Sequence, residues 1–288
     1  MIAPAPGDRP GRLAYLGTPG LAVPPLRALV AAGFEVALVV SQPDRRRGRG
    51  SALVPSPVKA AALELGLPVT DRVDDVVDAG VDLGVVVAFG RLIRPHVLER
   101  VPMVNLHFSL LPRWRGAAPV ERAILAGDAE TGVDLMVVEE GLDTGGIYDR
   151  RVVAVGPDDT LDDLRGRLVE VGTALLVEEL GRGLGEPRPQ VGEPTYAAKI
   201  EPDELRIDWS RPALDVHRLV RIGGAWTTVE GRRLKVWRTE VPGAAPPLAP
   251  AGDGPVGLVE VQPEGKGRMA AAAWANGVRW RSGEPLGT

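Results

Sequence analysis

The first half of the chain alternates short apolar runs with stretches of helical spacing, and this rhythm limits the possible folds more than any other feature. Leu13–Leu16 is a short apolar strand stopped at Gly17. Leu21–Ala32 carries Leu21, Leu26, Leu29 and Val30 on one helical face. Val36–Val40 is a valine-rich run followed by a loop, and Val58–Leu65 reads as a helix ending at Gly66. Leu83–Ala88 is a continuous apolar strand, Val104–Phe108 is another, and Ala117–Ala126 is helical. Strands and helices in alternation imply βαβ units and a mostly parallel sheet. Leu161–Leu180 is a long helix that would close this domain.

The pattern then changes. Gly181–Pro202 is rich in Gly, Pro and Glu and has no periodicity, as a linker would. A helix near Ala213–Arg221 follows, then strand-like pieces at Trp226–Val229, Leu234–Thr239, Val256–Val261 and Met269–Trp274. Short strands separated by turns predict a small β-rich domain, a barrel or sandwich. Val241–Pro255, rich in Pro, Ala and Gly, reads as a flexible loop. The expected organisation is a disordered lead-in at 1–11, an α/β domain at 12–185, a linker at 186–204 and a β-rich domain at 205–288.

Composition removes several classes of function. With no cysteine, disulfide staples, zinc-thiolate sites and cysteine nucleophiles are excluded, which fits a reducing compartment and a cytoplasmic location. No apolar run is long enough to span a membrane, and the opening MIAPAPGDRPGR lacks the apolar centre of a secretory signal. The three histidines, His96, His107 and His217, are too scattered for a metal site, so no metal is expected. His96 and His217 are expected at the surface. No G-x-G-x-x-G follows the first strand, and no phosphate-binding Walker loop occurs. The net charge of −4 is unevenly spread: residues 1–204 carry −8 and residues 205–288 carry +4. A basic part beside an acidic one suggests an anionic ligand on the former.

The run Asn105-Leu-His107-Phe-Ser109-Leu-Leu-Pro112-Arg-Trp-Arg115-Gly116-Ala-Ala-Pro119 carries the chemistry. Asn105 and His107 are two apart on a strand, so they share a face. They sit at its C-terminal end, where open α/β sheets place their ligands. An amide and an imidazole side by side can both donate to a developing oxyanion. A turn at Leu142-Asp143-Thr144-Gly145-Gly146 supplies one carboxylate, and a carboxylate near an imidazole stabilises the imidazolium form. The densest basic cluster is Arg45-Arg46-Arg47-Gly48-Arg49-Gly50.

These segments resemble the methionyl-tRNA formyltransferase family along nearly the whole chain. The matching pieces are Leu16–Pro19, Ser41–Asp44 with Gly48–Gly50, Pro55–Lys59, Val86–Gly90, the run from Asn105 to Pro119, Gly127-Asp128, Thr131-Gly132, Gly141–Gly145, Thr195–Lys199 and Gln262–Lys266. The resemblance implies a Rossmann-like formyltransferase domain at 12–185 and an OB-like, tRNA-binding domain at 205–288. It implies that Asn105, His107 and Asp143 are catalytic. It places 10-formyltetrahydrofolate, the co-substrate, against Ser109, Leu110, Leu111 and Pro112, with Phe89, Gly90, Glu139, Glu140, Gly141 and Leu142 lining the pterin pocket. It directs the loop bearing Arg45, Arg46, Arg47 and Arg49 to the acceptor end of initiator methionyl-tRNA.

The implied chemistry is attack of an amine on a formyl carbon, with Asn105 and His107 stabilising the oxyanion and Asp143 keeping His107 charged. No covalent enzyme intermediate is needed, so Ser109 is read as a folate or structural contact. Two rivals remain: a sugar-nucleotide formyltransferase with the same three residues, and a non-catalytic tRNA- or folate-binding paralogue. The sequence departs from the family's pattern where Ser51-Ala52 stand in place of frequent lysines, and around Val241–Pro255.

Overall fold

The computed structural model describes residues 2–46, 53–245 and 247–287. The chain forms two compact units that interleave along the sequence. One takes Met1–Pro119, Glu130–Ala154 and Arg165–Ala197, the other Val120–Ala129, Val155–Leu164 and Ala198–Thr288.

The strands of the first unit are β1 (Arg12–Gly17), β2 (Glu35–Val40), β3 (Arg45–Arg46), β4 (Leu53–Val54), β5 (Val69–Thr70), β6 (Leu83–Val87), β7 (Met103–His107), β8 (Arg115–Gly116), β9 (Glu130–Val137), β10 (Ile147–Ala154) and β11 (Tyr196–Ala197). The helices along this stretch of chain are α1 (Val23–Ala31), α2 (Pro57–Glu64), α3 (Pro95–Leu98), α4 (Pro119–Ala126) and α5 (Leu161–Arg182). A seven-stranded sheet runs in the order β10-β9-β7-β6-β1-β2-β5. Its pairings from β7 to β5 are parallel, and β9 and β10 are antiparallel additions. The central strands are apolar on both faces because helices cover both sides of a parallel sheet: all of β6 and Leu13–Leu16 of β1 are buried. Helix α1 starts with prolines, where a missing N–H costs nothing, and buries Leu26 and Leu29. Helix α2 is capped by Ser56, whose hydroxyl accepts from Lys59 N at 3.0 Å.

Three features differ from the sequence expectation. The hairpin of β9 and β10 was not foreseen, because Asp134 interrupts an apolar run and Asp149, Arg150 and Arg151 make β10 look solvent-facing. The lead-in is not loose. Ala3 N donates to Leu98 O at 2.8 Å, Gly11 N to Asp82 Oδ2 at 2.8 Å, and the Arg9 guanidinium lies 4.5 Å over the Phe34 ring. The segment expected as a linker is built into the first unit as far as Ala197. Arg188 and Ile147 exchange backbone hydrogen bonds of 2.8 and 2.9 Å, and β11 pairs with β8 in parallel.

The second unit holds α6 (Ala213–Arg221), β12 (Trp226–Val229), β13 (Arg232–Glu240), β14 (Leu248–Ala251), β15 (Gly254–Pro263), β16 (Met269–Ala270) and α7 (Ala271–Val278). Its sheet is antiparallel in the order β12-β13-β15-β14, with β16 on β15, so the β-rich expectation holds. Val216, Val220, Leu234, Val236, Val256, Leu258, Val261 and Trp274 form its core.

Three local expectations fail here. Met269–Trp274 is strand only through Ala270, after which an alanine run, the best of helix formers, turns it into α7. Val241–Pro255 is not all loop, since β14 lies within it and pairs with β15. His217 is buried, not superficial: Nδ1 lies 2.9 Å from Thr239 Oγ1 on β13 and Nε2 3.3 Å from Pro157 O. Burial pushes its pKa down. His96 stays at the surface, half exposed beside Asp74.

Candidate active site

Strand β7 ends on His107, which is 5 % exposed, and places Asn105 one pleat back on the same face. The imidazole is held at one end. His107 Nε2 lies 3.0 Å from Trp114 O. A carbonyl only accepts, so Nε2 carries the hydrogen and donates. Trp114 presents that carbonyl from a left-handed backbone, φ +64°, and its own N–H donates to Thr195 Oγ1 at 2.9 Å. Nδ1 is then the nitrogen turned toward Asp143. It stands 3.7 Å from Asp143 Oδ2, within ion-pair range but beyond a hydrogen bond. The amide of Asn105 has no partner among the described residues and is half-buried.

Asp143 is fixed from several sides. Gly116 N donates to Oδ2 at 2.8 Å. Gly116 has φ +119°, and a Cβ there would lie 2.9 Å from Ala197 O, so β8 can approach β11 only with glycine. Asp143 itself has φ +50°, a conformation that costs a non-glycine residue about 1 kcal/mol. The following Gly145 packs so closely on Val137 O that no side chain fits. The turn is closed by Gln190, whose Nε2 donates to Asp143 O at 2.8 Å and Gly145 O at 2.9 Å.

A second carboxylate lies on the strand next to the imidazole. Asp134 on β9 is opposite His107 in register, and Arg150 on β10 is opposite Asp134. Asp134 is fully buried, and Arg150 donates to it from Nε at 3.1 Å and Nη2 at 2.8 Å. The pair also clamps one peptide: Leu111 N donates to Asp134 Oδ2 at 2.8 Å and Arg150 Nη2 donates to Leu111 O at 2.9 Å. Burial pushes the Asp134 carboxyl up to about 6, against the opposing pull of Arg150, the Leu111 amide and His107.

The remaining expected residues fall into groups. Leu110–Pro112 follow the strand end, with Leu111 packed on Met136 and Ile147. Ser109 is fully buried and its hydroxyl donates to Arg113 O at 2.6 Å, so the side chain braces the turn. Phe89 is buried, with its carbonyl taken by Thr18 Oγ1 at 3.1 Å and Gln42 Nε2 at 3.2 Å, while Gly90 is exposed with φ +71°. Glu139, Glu140, Gly141 and Leu142 are exposed, Leu142 at 55 %.

The basic loop is anchored at its base. Ser41 and Ser56 hydroxyls are 2.5 Å apart, Lys59 Nζ is 2.8 Å from Asp44 Oδ1, and Arg45 Nη2 donates to Gln42 Oε1 at 2.7 Å. Arg45 and Arg46 are exposed on β3, which pairs with β4. Arg47 and Arg49 lie outside the described residues. Sequence reasoning missed Gln190, Asp134 and Arg150. Only a buried Asp inside an apolar run, matched by an Arg on a charged strand, hinted at the last two.

A mostly parallel sheet followed by a separate β-rich unit is the architecture of the formyltransferase class. A family model described as formyl transferase matches residues 13–180, and one described as formyl transferase, C-terminal domain, matches residues 199–250. A methionyl-tRNA formyltransferase of Heliobacterium modesticaldum is 43% identical over 93% of this chain and 97% of its own length. One of Dinoroseobacter shibae is 49% identical over 78% of this chain and 81% of its own length. The chain belongs to the methionyl-tRNA formyltransferase family. A crystal structure of an N-formyltransferase from Helicobacter canadensis, with folinic acid and dTDP-3-aminofucose, shares the fold: TM-score 0.64, 20% identity, 79% of this chain and 87% of that one.

Proposed function

We propose that this protein transfers the formyl group of 10-formyltetrahydrofolate to the α-amino group of methionine on charged initiator tRNA, in the cytoplasm. The observation that carries this reading is the anchored imidazole, with Nδ1 turned toward Asp143 at 3.7 Å. The amine nitrogen attacks the formyl carbon, a C–N bond forms, and the bond to the donor nitrogen breaks. Asn105 and the Nδ1–H of His107 donate to the oxyanion as it develops. Asp143 stabilises the charged ring and accepts the amine proton through water, for return to the leaving nitrogen. Residues 89–90, 109–112 and 139–142 hold the donor by apolar contact and backbone groups.

The tRNA is held by cations. Arg45, Arg46, Arg47 and Arg49 meet phosphates near the 3′ end, and residues 205–288, with a charge of +4, supply the rest. Within the second unit, cations and indoles alternate across one sheet. The Arg233 guanidinium lies 3.9 Å over Trp226, and Arg268 lies 3.5 Å over Trp237. Lys235 stands opposite Trp226 in register. Such a row offers both charge and stacking to RNA.

An amino-sugar nucleotide is the alternative acceptor. The test offers the purified protein, with the formyl donor, charged initiator tRNA, charged elongator tRNA and an amino-sugar nucleotide in parallel. Formylation of initiator methionyl-tRNA at the highest kcat/KM supports the proposal, and preference for the sugar nucleotide refutes it.

A further inference from the structure

Gln190 reaches the Asp143 turn from the segment after α5, and its hydrogen-bonding pattern has a single reading. Arg115 donates to Gln190 Oε1 from both Nε at 3.1 Å and Nη2 at 2.6 Å. A guanidinium only donates, so this end of the amide is the oxygen. The NH2 end must then face the turn, where its two hydrogens meet two carbonyls, Asp143 O at 2.8 Å and Gly145 O at 2.9 Å. The position of Gln190 along the chain is fixed as well. Two residues earlier, Arg188 exchanges backbone hydrogen bonds with Ile147, immediately after the turn.

We propose that Gln190 is a positioning residue for Asp143, and that Arg115 orients Gln190 for that task. The proposal rests on the transferase reading above, since it gives Asp143 a partner in His107. The carboxylate is anchored at its tip by Gly116 N and at its backbone by Gln190. Between these anchors lies a left-handed backbone that a non-glycine residue leaves readily when its surroundings allow. Removing the backbone anchor lets the turn relax, and the carboxylate leaves its place 3.7 Å from His107 Nδ1. Arg115 also follows Trp114, whose carbonyl holds Nε2 of the same imidazole. The three consecutive residues 114–116 thus position both partners of the pair, the ring through Trp114 and the carboxylate through Gly116 and, by way of Arg115, Gln190.

The test is a double-mutant cycle on the full chain, read as the single-turnover rate of formyl transfer to methionyl-tRNA. Gln190→Leu should slow transfer about 10²-fold, the loss that a misplacement near 1 Å brings, and leave donor affinity unchanged. In an Asp143→Asn background the same substitution should slow transfer little further, because the group it positions has already lost its charge. Gln190→Glu keeps the length and the acceptor for Arg115 but turns two donors into acceptors. It should behave like Gln190→Leu and carries the test if the leucine variant does not fold. The ¹⁵N signals of His107 should move in either variant toward those of Asp143→Asn. Equal losses of rate in both backgrounds, or unchanged His107 signals in a folded variant, would overturn the proposal. A wild-type protein inert on methionyl-tRNA would instead overturn the proposed acceptor, and the His107 signals would still report on Gln190.

Discussion

His107 and Asp134 are register partners across β7 and β9, so the imidazole that stands 3.7 Å from Asp143 also has a buried carboxylate on the neighbouring strand. Arg150 continues the row on β10 and compensates the buried charge. Breaking such a pair by removing one partner leaves an uncompensated charge, which is costly in a dry interior.

The titration of Asp134 gives a pH dependence of stability. Its folded pKa of about 6 lies above the ordinary carboxylate value. The folded state therefore binds the proton more tightly than the unfolded chain. The resulting stabilisation is full below the unfolded pKa and is lost as pH rises through about 6. Asp134→Asn removes this titration. Urea unfolding at pH 7 and at pH 4.5 should show wild type gaining on the variant at the lower pH, by about 2 kcal/mol. A difference between the two proteins that is independent of pH would show that Asp134 is not perturbed.

Asn105→Ala and His107→Ala should each slow transfer by ~10²–10³, as loss of one oxyanion donor does. Both side chains sit at a strand end, and both variants should fold. Circular dichroism and turnover on the same preparations decide the matter. A folded variant with near-normal turnover would remove that residue from the chemistry.

Binding of methionyl-tRNA should weaken steeply with salt, because phosphate contacts release counterions. Substituting Arg45, Arg46, Arg47 and Arg49 together should lower tRNA affinity and flatten the salt slope while sparing folate affinity. Arg268→Ala and Arg233→Ala should do the same through the second unit. Titrations at two salt concentrations check both; a variant with wild-type affinity and slope would mark its arginines as solvated surface.

Gly116→Ala should damage both stability and turnover. The new Cβ would meet Ala197 O, and the backbone that donates to Asp143 would have to shift. A lowered Tm with a reduced kcat is expected, and a variant with wild-type kcat would show that the Gly116 amide does not hold the carboxylate.

The strands at the candidate site were legible because they are apolar runs of strand length between helical patterns. Val104–Phe108 and Leu83–Ala88 lie within one residue of β7 and β6. The two antiparallel strands were not, because the charge buried in β9 is satisfied across the sheet: Asp134 meets Arg150, a partner sixteen residues away that no local pattern reveals. Asn105, His107 and Asp143 stood out by residue type and by resemblance, and the structure brings His107 and Asp143 together. Gln190 was hidden in a stretch without periodicity. Its role depends on a bond to Arg115, 75 positions away, and such a bond leaves no trace in spacing. His217 was misread for the opposite reason, since a polar residue on an amphipathic helix is buried when the facing strand offers a hydroxyl.

The central claim is that the His107–Asp143 pair drives formyl transfer to methionyl-tRNA. The direct measurement is the single-turnover rate for wild type and Asp143→Asn, with 10-formyltetrahydrofolate and methionyl-tRNA both saturating. Asparagine keeps the size and an acceptor for Gly116 N but removes the charge beside Nδ1. Rapid transfer by wild type and a loss of about 10² or more in the variant are expected, with both substrates still bound. Equal rates for the two proteins, at saturation and with the fold intact, would contradict it.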